Sequence, residues 1–323
     1  MITVEYIWLD GAEDMPQIRS KTRVFKEKHG LHQLPEWSFD GGSTWQGTVR
    51  DSDRILKPVK LYKNPFSEGN YLVLCEVMNT NGKPHQSNHR HQLVKDNDPD
   101  VWFGFEQEYT LTDPMQKPLV PAEIEQGEFY CGNGTGRVMG RGVSLDHLKH
   151  CDKAGIRLFG ANAEVMLSQW EYQTNPANAV DAADDLWVSR YLLERGAEFY
   201  NLRISYHPKI YTELNGAGCH VNISTPSTRE DYNNIKPIMA KFREFHDLHM
   251  EVYGIGNVLR LTGEHETSSY DEFTWNVGDR GASVRIPSSV KQEGKGYFED
   301  RRPAATCDPY LVTARILETL KQC

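Results

Sequence analysis

The stretch WFGFEQEYT, Trp102–Thr110, holds Glu106 and Glu108 two apart in an otherwise apolar and aromatic run. In an extended strand, residues two apart share one face, so both carboxylates point the same way out of a segment that reads as buried. Carboxylates are rarely buried without partners. Three further segments carry the same tension. ANAEVMLSQWEYQ sets Glu164 and Glu171 seven apart among apolar residues. That odd spacing sends them to opposite faces of a flat strand, so only a bend brings both to one place. NGAGCHVNIS sets His220 behind a glycine-rich turn, and GYFEDRRP holds Glu299 ahead of Arg301 and Arg302. Taken singly, each glutamate reads as a core-edge residue with its head in water, and the histidine as a hydrogen-bonded structural residue. Taken together, they would be costly to bury without shared counter-charge. Oxygen-rich ligands with at most one imidazole suit Mg²⁺ or Mn²⁺, whereas zinc prefers Cys and His.

A second group is cationic. DRGASVRIP holds Arg280 and Arg285, and Arg301 joins them. The guanidinium fork matches phosphate and carboxylate alike. Hard cations with arginines are the means of phosphoryl transfer, where positioning and charge stabilisation dominate. Surface ion pairing is the plain reading of Arg302. There is no Walker phosphate loop and no kinase catalytic set, so any use of ATP needs another architecture.

The elements that must position these groups read as α+β. At 323 residues the chain exceeds one usual domain, which predicts two, divided near the turn NTNGKP (Asn79–Pro84) into residues 1–84 and 85–323. The first part reads as strands over Val4–Asp10, Ser20–Phe25, Ile55–Tyr62 and Tyr71–Met78, with a turn-rich loop at Phe39–Gly47. Tyr71–Met78 is apolar throughout and reads as a central strand. The second part mixes short strands with helices: Ser144–Gly155 with a serine cap, Ala179–Asn201, and a C-terminal helix entered through Asp308-Pro309. Regular βα alternation and a glycine-rich dinucleotide turn are missing.

A net charge of −9 with no basic cluster speaks against nucleic acid. No apolar run approaches a membrane span and the first residues lack a secretory signal pattern, so a soluble, cytoplasmic protein is expected. The six scattered cysteines form no C-x-x-C pair and read as reduced thiols.

These segments, in this order, resemble glutamine synthetase of the eukaryotic (type II) branch. The match runs almost end to end through EYIWLDG, RSKTR, LPEWSFDGGST, SDRILKPV, LVLCEV, WFGFEQEYT, AGIRLFGANAEVM, QWEYQ, NGAGCHVNIS, RLTGEHETSS, DRGASVRIP and GYFEDRRPAATCDPY. The resemblance implies an N-terminal β-grasp domain and a catalytic domain on a curved antiparallel sheet with flanking helices. It implies a homo-oligomer, a decamer of two stacked pentamers, with active sites between subunits. The implied reaction joins ATP, L-glutamate and ammonium to give L-glutamine, ADP and phosphate through γ-glutamyl phosphate, with two or three Mg²⁺ or Mn²⁺ ions.

Carried over residue by residue, the resemblance assigns one cation to Glu108, Glu164 and Glu171 and another to Glu106, His220 and Glu299. Arg280 and Arg285 correspond to phosphate-contacting arginines, and Arg301 to the one reaching substrate carboxylate and phosphate. Arg260, Asn215 and Gly216 belong to the glutamate pocket. Asp40 corresponds to the ammonium-binding aspartate, with Ser43 beside it, and Glu266 to the flap glutamate that shields the acyl phosphate from water. Tyr297, Phe298, the stretch from Glu171 to Pro176, and Asn222, Ile223 and Ser224 correspond to the nucleotide wall.

The sequence departs from the family pattern at Gly42, where serine is usual, and at Leu167, where proline is usual. It also departs at FYCGNGTG (Phe129–Gly136) and in two shortened segments, PLVPAEIEQG (Pro118–Gly127) and VYGIGNVL (Val252–Leu259). Two other readings are kept: a γ-glutamyl ligase acting on another amine, and a non-catalytic relative. The intact Asp40 argues against the first and the six intact ligands against the second.

Overall fold

The computed structural model describes residues 1–120 and 129–323. The part of the shortened segment PLVPAEIEQG from Pro121 on lies outside the described residues. The chain divides into two compact units, Met1–Lys95 with Lys149–Ile156, and Asp96–Leu148 with Arg157–Cys323.

The first unit carries a five-stranded β-grasp sheet of β1 (Ile2–Leu9), β2 (Ile18–Phe25), β3 (Trp37–Asp40), β4 (Asp53–Lys63) and β5 (Tyr71–Asn79), in the order β2-β1-β5-β4-β3. β5 lies at the centre, parallel to β1 and antiparallel to β4. Its unbroken buried run from Leu72 to Met78 suits a strand covered on both faces. Pro58 sits inside β4, where a strand normally donates to its neighbours. The ladder shifts register between Pro58 and Lys60, and a bulge of this kind accommodates the missing N–H. Tyr6, Trp8, Phe39, Leu56, Val73 and Val77 form the core of this sheet. Phe39 and Asp40, read as loop in the sequence, are the end of β3, and the loop begins only at Gly41.

The second unit carries an eight-stranded curled sheet. Its strands are β6 (Trp102–Thr112), β7 (Leu158–Ala163), β8 (Gln169–Thr174), β9 (Arg203–Ser205), β10 (Cys219–Ser224), β11 (Trp275–Val277), β12 (Val284–Ile286) and β13 (Phe298–Asp300). Their order is β11-β12-β13-β10-β6-β8-β7, with β9 also on β6. Every pair is antiparallel except β11 with β12 at the edge. β6 is the long middle strand. His220 stands opposite Glu106, and Glu171 opposite Glu108. Register therefore puts three strands' worth of polar residues on one face.

Helices brace this sheet. Ala179–Glu198 is capped by Asn178, whose side chain accepts from the Asp181 N–H, and it ends three residues before the expected Asn201. Pro309–Leu320 is capped by Asp308, which accepts from Tyr310 N–H (2.9 Å) and from Trp187 Nε1 (3.2 Å), tying the two helices together. The helix expected to start with a Ser144 cap runs instead from Arg141 to Ala154. It starts behind Gly140, in the left-handed region at φ +77°, and Ser144 is buried in its first turn. A Cβ on Gly140 would fall 1.8 Å from Leu111 Cδ1, so the close approach of this turn to β6 requires glycine. Among the described residues no disulfide joins two cysteines, and no helix is long and apolar enough to cross a membrane.

Candidate active site

The second unit holds a cleft of about 510 Å³ lined largely by polar groups. Three strands supply its floor. β6 contributes Glu106 and Glu108, which share a face because they are two apart. β10 contributes His220, and β8 contributes Gln169, Glu171 and Gln173 at the same period of two. Glu164 follows the end of β7. The chain then reverses through Val165–Ser168, with Ser168 at φ +71°, before β8 begins. The bend demanded by the odd spacing of Glu164 and Glu171 is therefore a hairpin.

Two close groups of ligand-type atoms result. Glu106, His220 and Glu299 offer atoms all within 4.8 Å of one another, and so do Glu108, Glu171 and His220. Glu164 lines the same cleft but belongs to neither close group. His220 stands between the groups: Nδ1 lies 3.5 Å from Glu299 and 3.8 Å from Glu106, while Nε2 lies 3.9 Å from Glu108. Nδ1 is buried and makes no hydrogen bond.

The electrostatics are those of a carboxylate set crowded out of water. Burial, then the charge of Glu164, pushes the Glu108 carboxyl up to about 8. Burial raises Glu164, and burial with the neighbouring Glu106 raises Glu171 well above the carboxylate range. Burial, then Arg301, holds His220 far below its ordinary value, which keeps the imidazole neutral, with a lone pair on one ring nitrogen. Buried carboxylates forced upward, an unpartnered imidazole nitrogen facing two of them, and no cysteine among them fit one or two hard divalent cations.

Arginines close the other wall. Glu299, fully buried, takes Arg301 Nη1 on one oxygen (2.7 Å) and Arg285 on the other. Arg301 also donates to the Arg280 carbonyl (3.1 Å) and reaches the Glu266 carbonyl (3.5 Å). Arg280 and Glu266 line the cleft. His265 and Glu266 are consecutive non-glycine residues at φ +52° and +62°, beside Gly263 at +84°. Strain of this sort persists where a loop has a task, as in flaps.

Asn215, Gly216 and Arg260 also line the cleft. The Arg260 guanidinium is buried and turned back onto the sheet. It donates to the Arg301 carbonyl (2.8 Å), the Arg302 carbonyl (3.3 Å) and His220 Nε2 (3.0 Å). Burial brings its pKa down to about 10. Arg302, read as a surface residue, is fully buried: it clasps Asp300 with Nε (2.9 Å) and Nη2 (2.7 Å) and donates to His246 Nδ1 (3.0 Å). Glu299 and Asp300 take opposite faces as neighbours in β13, and the two arginines just past its end follow them. Arg301 pairs with Glu299 and lines the cleft, Arg302 pairs with Asp300 behind it, while Glu299 itself is buried outside the lining.

Other expected residues lie outside the cleft lining. Ile223 and Phe298 are buried side chains of the sheet. Ser224 accepts from Arg229 (3.0 Å), and Asn222 donates to Glu106 Oε1 (2.7 Å). Pro176 and Tyr297 do not line it either. Asp40 and Ser43 belong to the first unit, where Asp40 accepts from Gly42 N–H (3.0 Å) and Ser43 Oγ (2.7 Å) at the head of the turn Gly41–Thr44. Sequence reasoning passed over Tyr130, Asn162, Gln169 and Gln173, all in the lining. Counting by twos from Glu171 finds both glutamines.

Comparison with known proteins matches the chain to glutamine synthetases. The family model described as the β-grasp domain of glutamine synthetase matches residues 1–80, and the one described as its catalytic domain matches residues 85–235. The glutamine synthetase of Schizosaccharomyces pombe is 49% identical, over 99% of this chain and 92% of its own length. That of Saccharomyces cerevisiae is 45% identical over 99% and 89%. A cryo-EM structure of Plasmodium falciparum glutamine synthetase superposes with a TM-score of 0.78 at 18% identity, covering 100% of this chain and 72% of that one, which shows the fold.

Proposed function

The chain belongs to the glutamine synthetase family, and from that membership we propose how its residues divide the work of the cleft. The activity itself is that of a glutamate–ammonia ligase, which consumes ATP and uses a divalent cation. The observation that carries the residue assignment is the pair of ligand groups meeting at His220.

In this reading Glu106, His220 and Glu299 hold a cation on the ATP side. Glu108, Glu171 and Glu164 hold one on the glutamate side, with Mg²⁺ or Mn²⁺ as the ions. Bound there, such ions neutralise phosphate and carboxylate oxygens so that the two anions can meet. The chain's own groups do the rest. Arg280 and Arg285 face the transferred phosphoryl group, and Arg301, pinned by Glu299 and the Arg280 carbonyl, faces the charge that develops between phosphate and carboxylate. Arg260, Asn215 and Gly216 receive L-glutamate. Asn222, Ile223, Ser224, Tyr297, Phe298 and Pro176 form the nucleotide side, Asn222 by steadying Glu106. Glu266 on its strained loop covers γ-glutamyl phosphate and keeps water out. Asp40 with Ser43 takes ammonium and draws off its proton, since only neutral ammonia is nucleophilic.

Residues 1–84 and 85–323 are proposed as the two functional parts, a division supported by family matches that end at 80 and resume at 85. We extend the reading to a decamer of two stacked pentamers with sites between subunits, working in the cytoplasm. The deciding experiment is glutamine formation from ATP, L-glutamate and ammonium with Mg²⁺, run beside larger amines. Turnover only with the larger amines would remove ammonium as the substrate.

A further inference from the structure

Glu108 has two oxygens with different fates, and one uncharged side chain separates them. Oε2 accepts from the Gly218 N–H (2.7 Å) and from Gln169 Nε2 (3.0 Å). Oε1 makes no such bond and turns toward His220 Nε2 (3.9 Å). Gln169 is 2% exposed and begins β8, two residues before Glu171 and therefore on its face. Glu171 stands opposite Glu108, so Gln169 is the diagonal cross-strand neighbour of Glu108. The second proton of Nε2 goes to the Gly216 carbonyl (2.9 Å). Both Nε2 partners are acceptors, so the amide orientation follows from its surroundings.

We propose that Gln169 is a positioning residue of the cleft: its amide saturates one oxygen of Glu108, reserves the other for a cation, and locks the Gly216 turn to the same carboxylate. This deepens the assignment of Glu108 to the glutamate-side cation and rests on it. Without the clamp, Oε2 keeps only the Gly218 N–H, and the carboxylate gains freedom to tilt and offer both oxygens to the cation. The Gly216 carbonyl also loses its donor. A Cβ at Gly216 would meet the Pro208 carbonyl at 2.3 Å, so the turn has no slack to follow a displaced partner. Among the described residues Gln169 makes no hydrogen bond to Glu106, His220 or Glu299, so that group keeps its own partners.

The test is Mn²⁺ binding followed by electron paramagnetic resonance, in protein without nucleotide or amino acid, for wild type, Gln169→Met and Gln169→Glu. Methionine keeps the length and removes the donor; glutamate sets a second acid against two acceptors. The expected result is two classes of bound Mn²⁺ in wild type. One class should weaken by about tenfold or more in both variants, as loss of a ligand's hydrogen-bond partner does elsewhere, and the other should be unchanged. In steady state KM for L-glutamate should rise, while KM for ATP stays within about twofold. Equal weakening of both classes, or of neither, overturns the clamp, as does an equal rise in both KM values. Glu108→Gln separates the two layers of the argument. If it leaves both classes intact, the assignment of Glu108 fails; if it removes one class that the Gln169 variants leave untouched, only the clamp fails. Thermal melts of each variant give a fold check, and Gln169→Asn, which keeps a donor amide, should recover part of the lost affinity.

Discussion

Glu299 has no surface in water and answers to two guanidinium groups at once. It is therefore both a candidate ligand and the pin of Arg285 and Arg301. Glu299→Gln keeps the shape and removes the charge. Phosphate release from ATP plus glutamate should fall by about a thousandfold, since electrostatic groups aimed at developing charge are worth that order. Retention within tenfold of wild type would contradict its role. The types of these residues and their period of two were legible in the sequence. The partner of each was not, because Arg260 preceding LTG carries no sign that its guanidinium turns back onto the carbonyls of Arg301 and Arg302. Arg302 misled for a related reason: adjacent arginines look alike in a string, yet each pairs with the acid two residues before it, and Glu299 and Asp300 take opposite faces of β13.

The glycine-rich turn ahead of β10 shows how much an element's approach can matter. A Cβ on Gly218 would sit 2.6 Å from both the Arg260 guanidinium and His220 Nε2, although the backbone there needs no left-handed conformation. Gly218→Ala should therefore cost activity about 10- to 100-fold by displacing ligands, and lower the melting temperature through overpacking of the buried Arg260 and His220. Assay and calorimetry together decide it; full activity would mean the site is more pliant than its packing suggests. Long elements with strong patterns were legible: β5 from its unbroken apolar run, and the C-terminal helix from Asp308-Pro309. The helix at Arg141–Ala154 was read three residues late because its first turn, RGV, offers no cap and the signal lay in Gly140. β11, β12 and β13 are three residues each, too short for alternation to stand out, and they take their place from pairing with β10 and one another.

At the scale of the molecule, a second buried network lies behind the β13 strand. His249 bonds Tyr253 and Thr319, faces Arg302, Arg315 and His246, and is near Asp300 through Tyr253. Burial, then Arg302, holds its pKa well below the usual 6.5. The unfolded chain takes up a proton there that the folded one refuses. His249 thus gives stability in full above pH 6.5 and loses it as pH falls through that value. Between pH 7 and pH 5 the melting temperature of wild type should fall relative to that of His249→Gln; a difference that does not change with pH would relieve His249 of that part. The proposed inter-subunit site makes a separate prediction. Mixing inactive Asp40→Asn with inactive Glu299→Gln chains before assembly should restore about one quarter of wild-type activity, because a random ring pairs two intact halves about that often. No recovery would confine each site to one chain. The alignment of β10 also limits where the chain can gain or lose a residue. His220 faces Glu106 across one ladder, and Asn222 faces Glu299 across the other. A single inserted residue would turn both away and present Cys219 and Val221 instead, trading an imidazole for a thiol that favours softer ions. The strand can therefore change length only at its ends without moving these residues off the face. In the proposed site the ligand set is specified by a count of residues along a strand as much as by the letters themselves.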